Sequence, residues 1–261
     1  MKSDRSGNRR GGSNPPFSAK KDPFGSFFGG ADLTAVPGSA PEETERRNLM
    51  KTILCYGDSN THGYDPSTGL RYPPHVRWTG VLRGLLGSGF LVIEEGCNGR
   101  TTVFTDPEEG WKNGLDYLKP CLNSHKPIDL VILMLGSNDL KRFTRATAAD
   151  SADGAGKLAD VIHEFLTVKQ GYAPKILLVA PPQIRPEITE SPFRLSFDEN
   201  ASAMSERFAE EFRRVAREKG CFFFDAASVA EASPLDSLHL GLDDHRKLAE
   251  ALCEKVRELL D

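Results

Sequence analysis

The chain is poor in what would mark a membrane, secreted or nucleic-acid-binding protein. No run of about 18 apolar residues occurs in its 261, so a membrane-spanning helix is not expected. A secretory signal needs a continuous apolar stretch behind its leading cations, and Phe24, Phe27 and Phe28 stand isolated instead. The net charge of −4 carries no clustered basic excess, so a nucleic-acid partner is not expected. The five cysteines, Cys55, Cys97, Cys121, Cys221 and Cys253, are odd in number and form no C-x-x-C pair. That argues against a zinc ribbon, a thioredoxin-type site or a disulfide framework, and fits a reducing cytoplasm. Phosphate-cradling loops of the G-x-G-x-x-G or G-x-x-x-x-G-K-[ST] kind are missing too, which weakens a nucleotide-binding reading.

Two regions differ in composition. Residues 1–50 hold seven Gly, five Pro and six Ser, the make-up of a disordered extension. Residues 51–261 read as one globular domain of a size that buries a substantial core. Short apolar runs at 51–56, 90–93, 129–135, 175–180 and 221–224 predict five strands. Amphipathic stretches at 76–86, 156–168, 198–219 and 243–260 predict helices between and after them. Strands alternating with helices mean an α/β fold, a parallel sheet with helices on both faces.

Ligands of such sheets bind beyond the carboxyl ends of the strands. After the first strand stands Gly57-Asp58-Ser59-Asn60, after the second Gly96-Cys97-Asn98-Gly99-Arg100-Thr101-Thr102, after the third Gly136-Ser137-Asn138-Asp139. Near the C-terminus comes Asp236-Ser237-Leu238-His239. These parts suit acyl transfer. A serine hydroxyl needs a base to take its proton, and His239 could serve Ser59. Asp236, three residues earlier, could hold the imidazole and stabilise its charged form. The backbone N–H groups of Ser59 and Gly99 and the Asn138 amide could receive the developing oxyanion. Each piece alone is weak to moderate evidence. Their joint order along the chain is strong.

With these residues in view, the sequence resembles the SGNH, or GDSL-type, hydrolases. Ser59, Gly99, Asn138 and His239 match the four blocks that name the family, and Asp236 matches its acid. Glu94-Glu95-Gly96, Pro127-Ile128-Asp129-Leu130 and Phe223-Phe224-Asp225-Ala226 are similar to its arylesterase/acyltransferase branch. The resemblance implies a three-layer α/β/α sandwich, flavodoxin-like, with a five-stranded parallel sheet. It implies a cofactor-free serine esterase acting on short-chain aryl or alkyl esters through an acyl-enzyme, with acyl transfer to alcohols in some members. It also implies a homo-oligomer, since some members of that branch oligomerise around their active-site entrance. A carbohydrate O-deacetylase or a lysophospholipase/thioesterase on the same fold is the alternative enzyme. A small-molecule-binding module is the non-enzyme one. The chain departs from the family pattern at Asn60, where the usual motif has Leu, at Cys97-Asn98, and at Tyr64, where some relatives carry Trp.

Loop residues Tyr64, His62, Trp111 and Phe193 are candidates to line the substrate pocket. Asp58 and Asp139 are expected to make structural hydrogen bonds beneath the site, and Arg100 to fix its own loop. Trp78 is expected in the core. No metal site is expected: His75, His125, His163 and His245 show no ligand spacing and read as ordinary surface or helix residues.

Overall fold

The computed structural model describes residues 50–261; the reading of 1–50 as an extension lies, apart from Met50, outside the described residues. Five strands form one sheet in the order β2-β1-β3-β4-β5, every neighbouring pair parallel. They are β1 (Lys51–Gly57), β2 (Phe90–Gly96), β3 (Leu130–Met134), β4 (Lys175–Ala180) and β5 (Phe222–Asp225). The helices are α1 (Ser59–His62), α2 (Trp78–Leu86), α3 (Gly114–His125), α4 (Ala148–Gln170), α5 (Glu199–Ser205), α6 (Phe208–Lys219) and α7 (Leu242–Leu260).

The two-residue period of the strands divides the core. Leu54 and Tyr56 of β1 face one way, with Val131, Leu133 and Leu178, against α3, α4 and α6. Ile53 and Cys55 face the other way, with Ile132, Leu177 and Val179, against Trp78 and Leu82 of α2 and Leu248, Leu252 and Val256 of α7. A sheet apolar on both faces must be covered on both, which is why β3 is buried at every position. The result is the three-layer α/β/α sandwich expected from the sequence.

Element boundaries depart from expectation where polar residues hide structure. β2 runs on to Gly96, past the apolar 90–93, because Cys55, Tyr56 and Gly57 pair with Glu94, Glu95 and Gly96. Its charges are matched: Glu94 accepts from Arg77 Nε at 2.8 Å and from Arg83 at 3.2 Å. α4 starts eight residues before the expected 156, launched by a capping box between Thr147 and Asp150. Its two early glycines look like breakers but are packing sites. A Cβ at Gly154 would lie 2.1 Å from Thr102 Oγ1. The expected single helix 198–219 is two, α5 and α6, interrupted at Glu206 and Arg207; Asp198 caps its start as expected. α3 is an added helix, disguised in the sequence by Pro120 within it. No described helix is long and apolar enough to cross a membrane.

Candidate active site

The carboxyl edge of the sheet gathers the residues that the sequence scatters. β1 ends at Gly57, and Asp58 Oδ1 accepts the N–H of Asn60 at 2.9 Å, starting the short helix α1 with Ser59 as its first residue. The turn is possible because the chain is bare here. A Cβ on Gly96 at the end of β2 would lie 2.1 Å from His62 N, so β2 and α1 approach backbone to backbone.

His239 Nε2 lies 2.8 Å from Ser59 Oγ, and its Nδ1 lies 2.7 Å from Asp236 Oδ2. The other carboxylate oxygen, Asp236 Oδ1, accepts the backbone N–H of Leu238 at 3.0 Å and of His239 at 2.9 Å. One acid thus orients the imidazole and also closes the loop that carries it. Ser237 takes a left-handed φ of 64° inside that tight turn. Tyr64 stacks at a tilt on the imidazole, 4.2 Å between ring centroids, and Phe193 meets it edge-on at 5.2 Å. All three polar members are buried.

Beside them stand the other two motif blocks. Gly99 has φ +77°, which a side-chain-bearing residue adopts only under strain. Asn138 Nδ2 donates to Arg100 O at 3.2 Å, and Asp58 Oδ2 is 3.5 Å away. Asp139 joins the two loops, accepting from Thr102 N at 2.8 Å and Thr102 Oγ1 at 2.6 Å. Arg100 donates through Nη1 to Gly57 O at 2.9 Å and lays its guanidinium over the Tyr56 ring at 4.3 Å. It fixes its loop, as expected. Burial pushes the Asp58 carboxyl up to about 6 and that of Asp139 up to about 7.

These groups open on a cavity of about 230 Å³, lined by Ser59, Gly99, Asn138 and His239 with Tyr64 and Phe193 among others. Two of the four expected pocket residues are therefore in place and two are not. His62 ends α1 and turns toward β2; its carbonyl accepts from Arg71 Nε. Trp111 is 63% exposed, because its neighbour Lys112 takes the inward position in the turn. Sequence reasoning missed Lys112 and Lys141, which both line the cavity, and Phe197 and Leu238, which supply apolar wall. Their loops carried no periodic signal that could have singled them out.

Two histidines also differ from expectation. His245 is a helix residue, but wholly buried: its Nδ1 faces the N–H of Trp78 at 3.3 Å, and burial lowers it to about 4. His125 binds Glu95 Oε1 at 2.7 Å and sits one helical turn from Cys121. The ligand atoms of Glu95, Cys121 and His125 lie within 4.8 Å of one another, a spacing invisible in sequence because Glu95 comes from β2. None of the three lines the cavity at Ser59. Asn60, the departure from the usual motif, brackets the histidine: Oδ1 accepts from Leu240 N at 2.9 Å and Nδ2 donates to Leu238 O at 3.4 Å.

The arrangement can take a proton from a serine hydroxyl, hold the resulting imidazolium and receive an acyl group in a small pocket. Solved structures with the same architecture include esterases. The chain superposes on an aryl esterase from M. smegmatis with a TM-score of 0.75 at 41% identity, covering 80% of this chain and 99% of that one. It superposes on a carbohydrate acetylesterase from Sinorhizobium meliloti with a TM-score of 0.75 at 36% identity, over 80% and 99% of the two chains. No curated protein matches the chain. The family model of GDSL-like lipases and acylhydrolases matches residues 55–248, a span that starts within β1 just ahead of Ser59 and ends within α7, past His239. With its fold, its motif order and that match in agreement, the chain belongs to the GDSL-like lipase/acylhydrolase family, the SGNH hydrolases.

Proposed function

We propose that this protein is a serine esterase of short-chain carboxylic esters, with Ser59, His239 and Asp236 as its catalytic triad. The observation that carries the reading is the unbroken relay Ser59 Oγ, His239 Nε2, His239 Nδ1, Asp236 Oδ2, at 2.8 and 2.7 Å. His239 takes the hydroxyl proton as Ser59 Oγ attacks the ester carbonyl. Asp236 keeps the imidazole oriented and stabilises its positive charge. The same proton then passes to the departing alcohol, leaving an acyl group on Ser59. Water repeats the sequence and releases the acid.

The oxyanion is received by three donors. Ser59 is the first residue of α1, so its N–H has no partner within its own helix. Gly99 supplies a second N–H and carries no side chain of its own at that point. Asn138 supplies the third: Arg100 O takes one amide hydrogen, and the other makes a long hydrogen bond, 3.5 Å, to Asp58 Oδ2 that an oxyanion can displace. The chemistry requires no cofactor. A cavity of about 230 Å³ suits small acyl groups, and Tyr64 and Phe193 beside His239 suit an aromatic alcohol.

The S. meliloti neighbour supports a second reading, removal of acetyl groups from carbohydrate. Hydrolysis of p-nitrophenyl esters from acetyl to long acyl chains, on wild type and Ser59→Ala, tests the first. The expected result is activity peaking at acetyl or butyryl and lost in the variant. Turnover retained by folded Ser59→Ala would overturn it. Acetate release from acetylated sugars without aryl-ester activity would favour the second.

A further inference from the structure

We propose that Lys112 and Lys141 form an anion-binding subsite on the acyl side of this pocket, so that the preferred substrates are half-esters of small dicarboxylic acids. The inference rests on the esterase reading above and names its substrate class. The two lysines line the cavity together with Ser59, Gly99, Asn138 and His239, and no lining residue is a carboxylate. Both are drawn out of water: their side chains are only 14% and 13% exposed. The Lys112 ammonium reaches over the Gly99 loop, where a Cβ on Gly99 would lie 3.0 Å from Nζ. Lys141 sits one turn beyond Asn138, its N–H on the Asn138 carbonyl at 3.3 Å.

Their acidic neighbours, Glu109, Asp106 and Asp58, all stand outside the cavity lining. Glu109 pairs with Lys112 from outside the lining and is 45% exposed. Asp106 stands 3.8 Å from Lys141 Nζ, and its Oδ1 already accepts the N–H groups of Glu108 and Glu109. Lys141 therefore has donors left over. Burial and the repulsion of Lys112 hold its ammonium below the usual lysine range. An anion between two such cations relieves both, and charge-assisted hydrogen bonds are the strong ones.

The geometry also says which half of the ester bears the charge. The leaving alcohol must lie at His239, which protonates it, and His239 is flanked by Tyr64 and Phe193. The cations stand instead by Gly99 and Asn138. The charged group belongs on the acyl chain, and an uncharged, aromatic group on the alcohol. In the reaction, the ester C–O bond breaks as the Ser59 Oγ–C bond forms. The hydroxyl proton leaves with the alcohol through His239. Water then attacks the carboxylate-bearing acyl-enzyme and gives one proton through His239 to Ser59 Oγ as the C–Oγ bond breaks; the new carboxylic acid loses the other proton to solvent, and a dicarboxylate departs.

The test compares benzyl hemisuccinate with benzyl butyrate, similar in length and differing in charge, by release of benzyl alcohol. Wild type is expected to prefer the hemisuccinate in kcat/KM by about tenfold or more. Lys112→Met and Lys141→Met should each lower that ratio severalfold, chiefly through KM for the anionic ester, and Lys141→Glu should invert it. A wild-type ratio at or below one overturns the proposal. So does a ratio that neither methionine variant moves, or an equal loss on both esters, which would place the ammoniums on the oxyanion instead. Failure of wild type to hydrolyse benzyl butyrate and hemisuccinate alike would be failure of the esterase reading. Saturable binding of succinate, lost in Lys141→Met, reads the anion site independently of turnover; absence of such binding in wild type counts against it.

Discussion

The side-chain amide of Asn60 accepts the backbone N–H of Leu240 across 180 residues of sequence, at 2.9 Å. The same amide donates to Leu238 O, so the residue following Ser59 holds the chain on both sides of His239. Ser59 and His239 lie on different elements, and their 2.8 Å separation depends on such a tie. Asn60→Ala would leave the buried N–H of Leu240 unpaired, at a cost of about 1–3 kcal/mol. The expected outcome is a lower melting temperature, by about 2–4 °C per kcal/mol for a domain of this size, together with a kcat reduced about tenfold. Unchanged melting and turnover would show that the loop is held by Asp236 alone.

Asn138 offers a different signature. In the proposed mechanism its amide meets charge that exists only during reaction, so Asn138→Ala should lower kcat by about 10²–10³-fold with little change in KM. Steady-state kinetics on p-nitrophenyl acetate separate the two. A change confined to KM would make Asn138 a ground-state binding residue.

Asp139 carries a prediction about pH. Its carboxyl is buried and raised to about 7, against 3.8 for the free group. The fold therefore holds a proton that the unfolded chain releases. That contribution is full below about pH 3.8 and is lost as pH rises to about 7. Asp58, raised to about 6, acts in the same direction. Asp139→Asn keeps the shape and removes the titration. Melting temperatures of both proteins from pH 5 to 8 should show the variant gaining on wild type as pH rises. A constant difference would mean that Asp139 is already ionised in the fold.

Gly96 tests the close approach of β2 and α1. A Cβ there would lie 2.1 Å from His62 N and 2.5 Å from Thr61 C, both backbone atoms that cannot rotate aside. Gly96→Ala should cost about 1–3 kcal/mol or more and displace the helix that begins with Ser59. Thermal melting checks the first effect and kcat the second; a variant with wild-type values in both would refute the packing argument.

Much of this architecture was legible in the residues. Apolar runs announced all five strands, because the strands of a parallel sheet covered on both faces are apolar over most of their length. Ser59, Gly99, Asn138, Asp236 and His239 could be picked out because each follows a strand or lies in a short spaced motif, and strand ends in such sheets converge on one edge. Elements with charge or special packing were harder. The end of β2 is written in glutamates, which only their arginine and histidine partners on other elements make tolerable. The start of α4 is written in glycines, which only close contact with Thr102 and Val215 explains.

The pocket belongs to the tertiary structure alone. Sequence could nominate Tyr64 and Phe193 as loop aromatics, but it gave equal standing to Trp111 and His62, which turn away. Whether Trp111 or Lys112 faces inward depends on a single 3₁₀ turn, where adjacent side chains point in different directions. Lys112, Lys141 and Asn60 acquire meaning only from neighbours tens to hundreds of residues away. A local pattern specifies strands, helices and catalytic motifs because their physics is local. The charge and shape of a cavity are set by distant loops meeting, and no window of sequence contains that meeting.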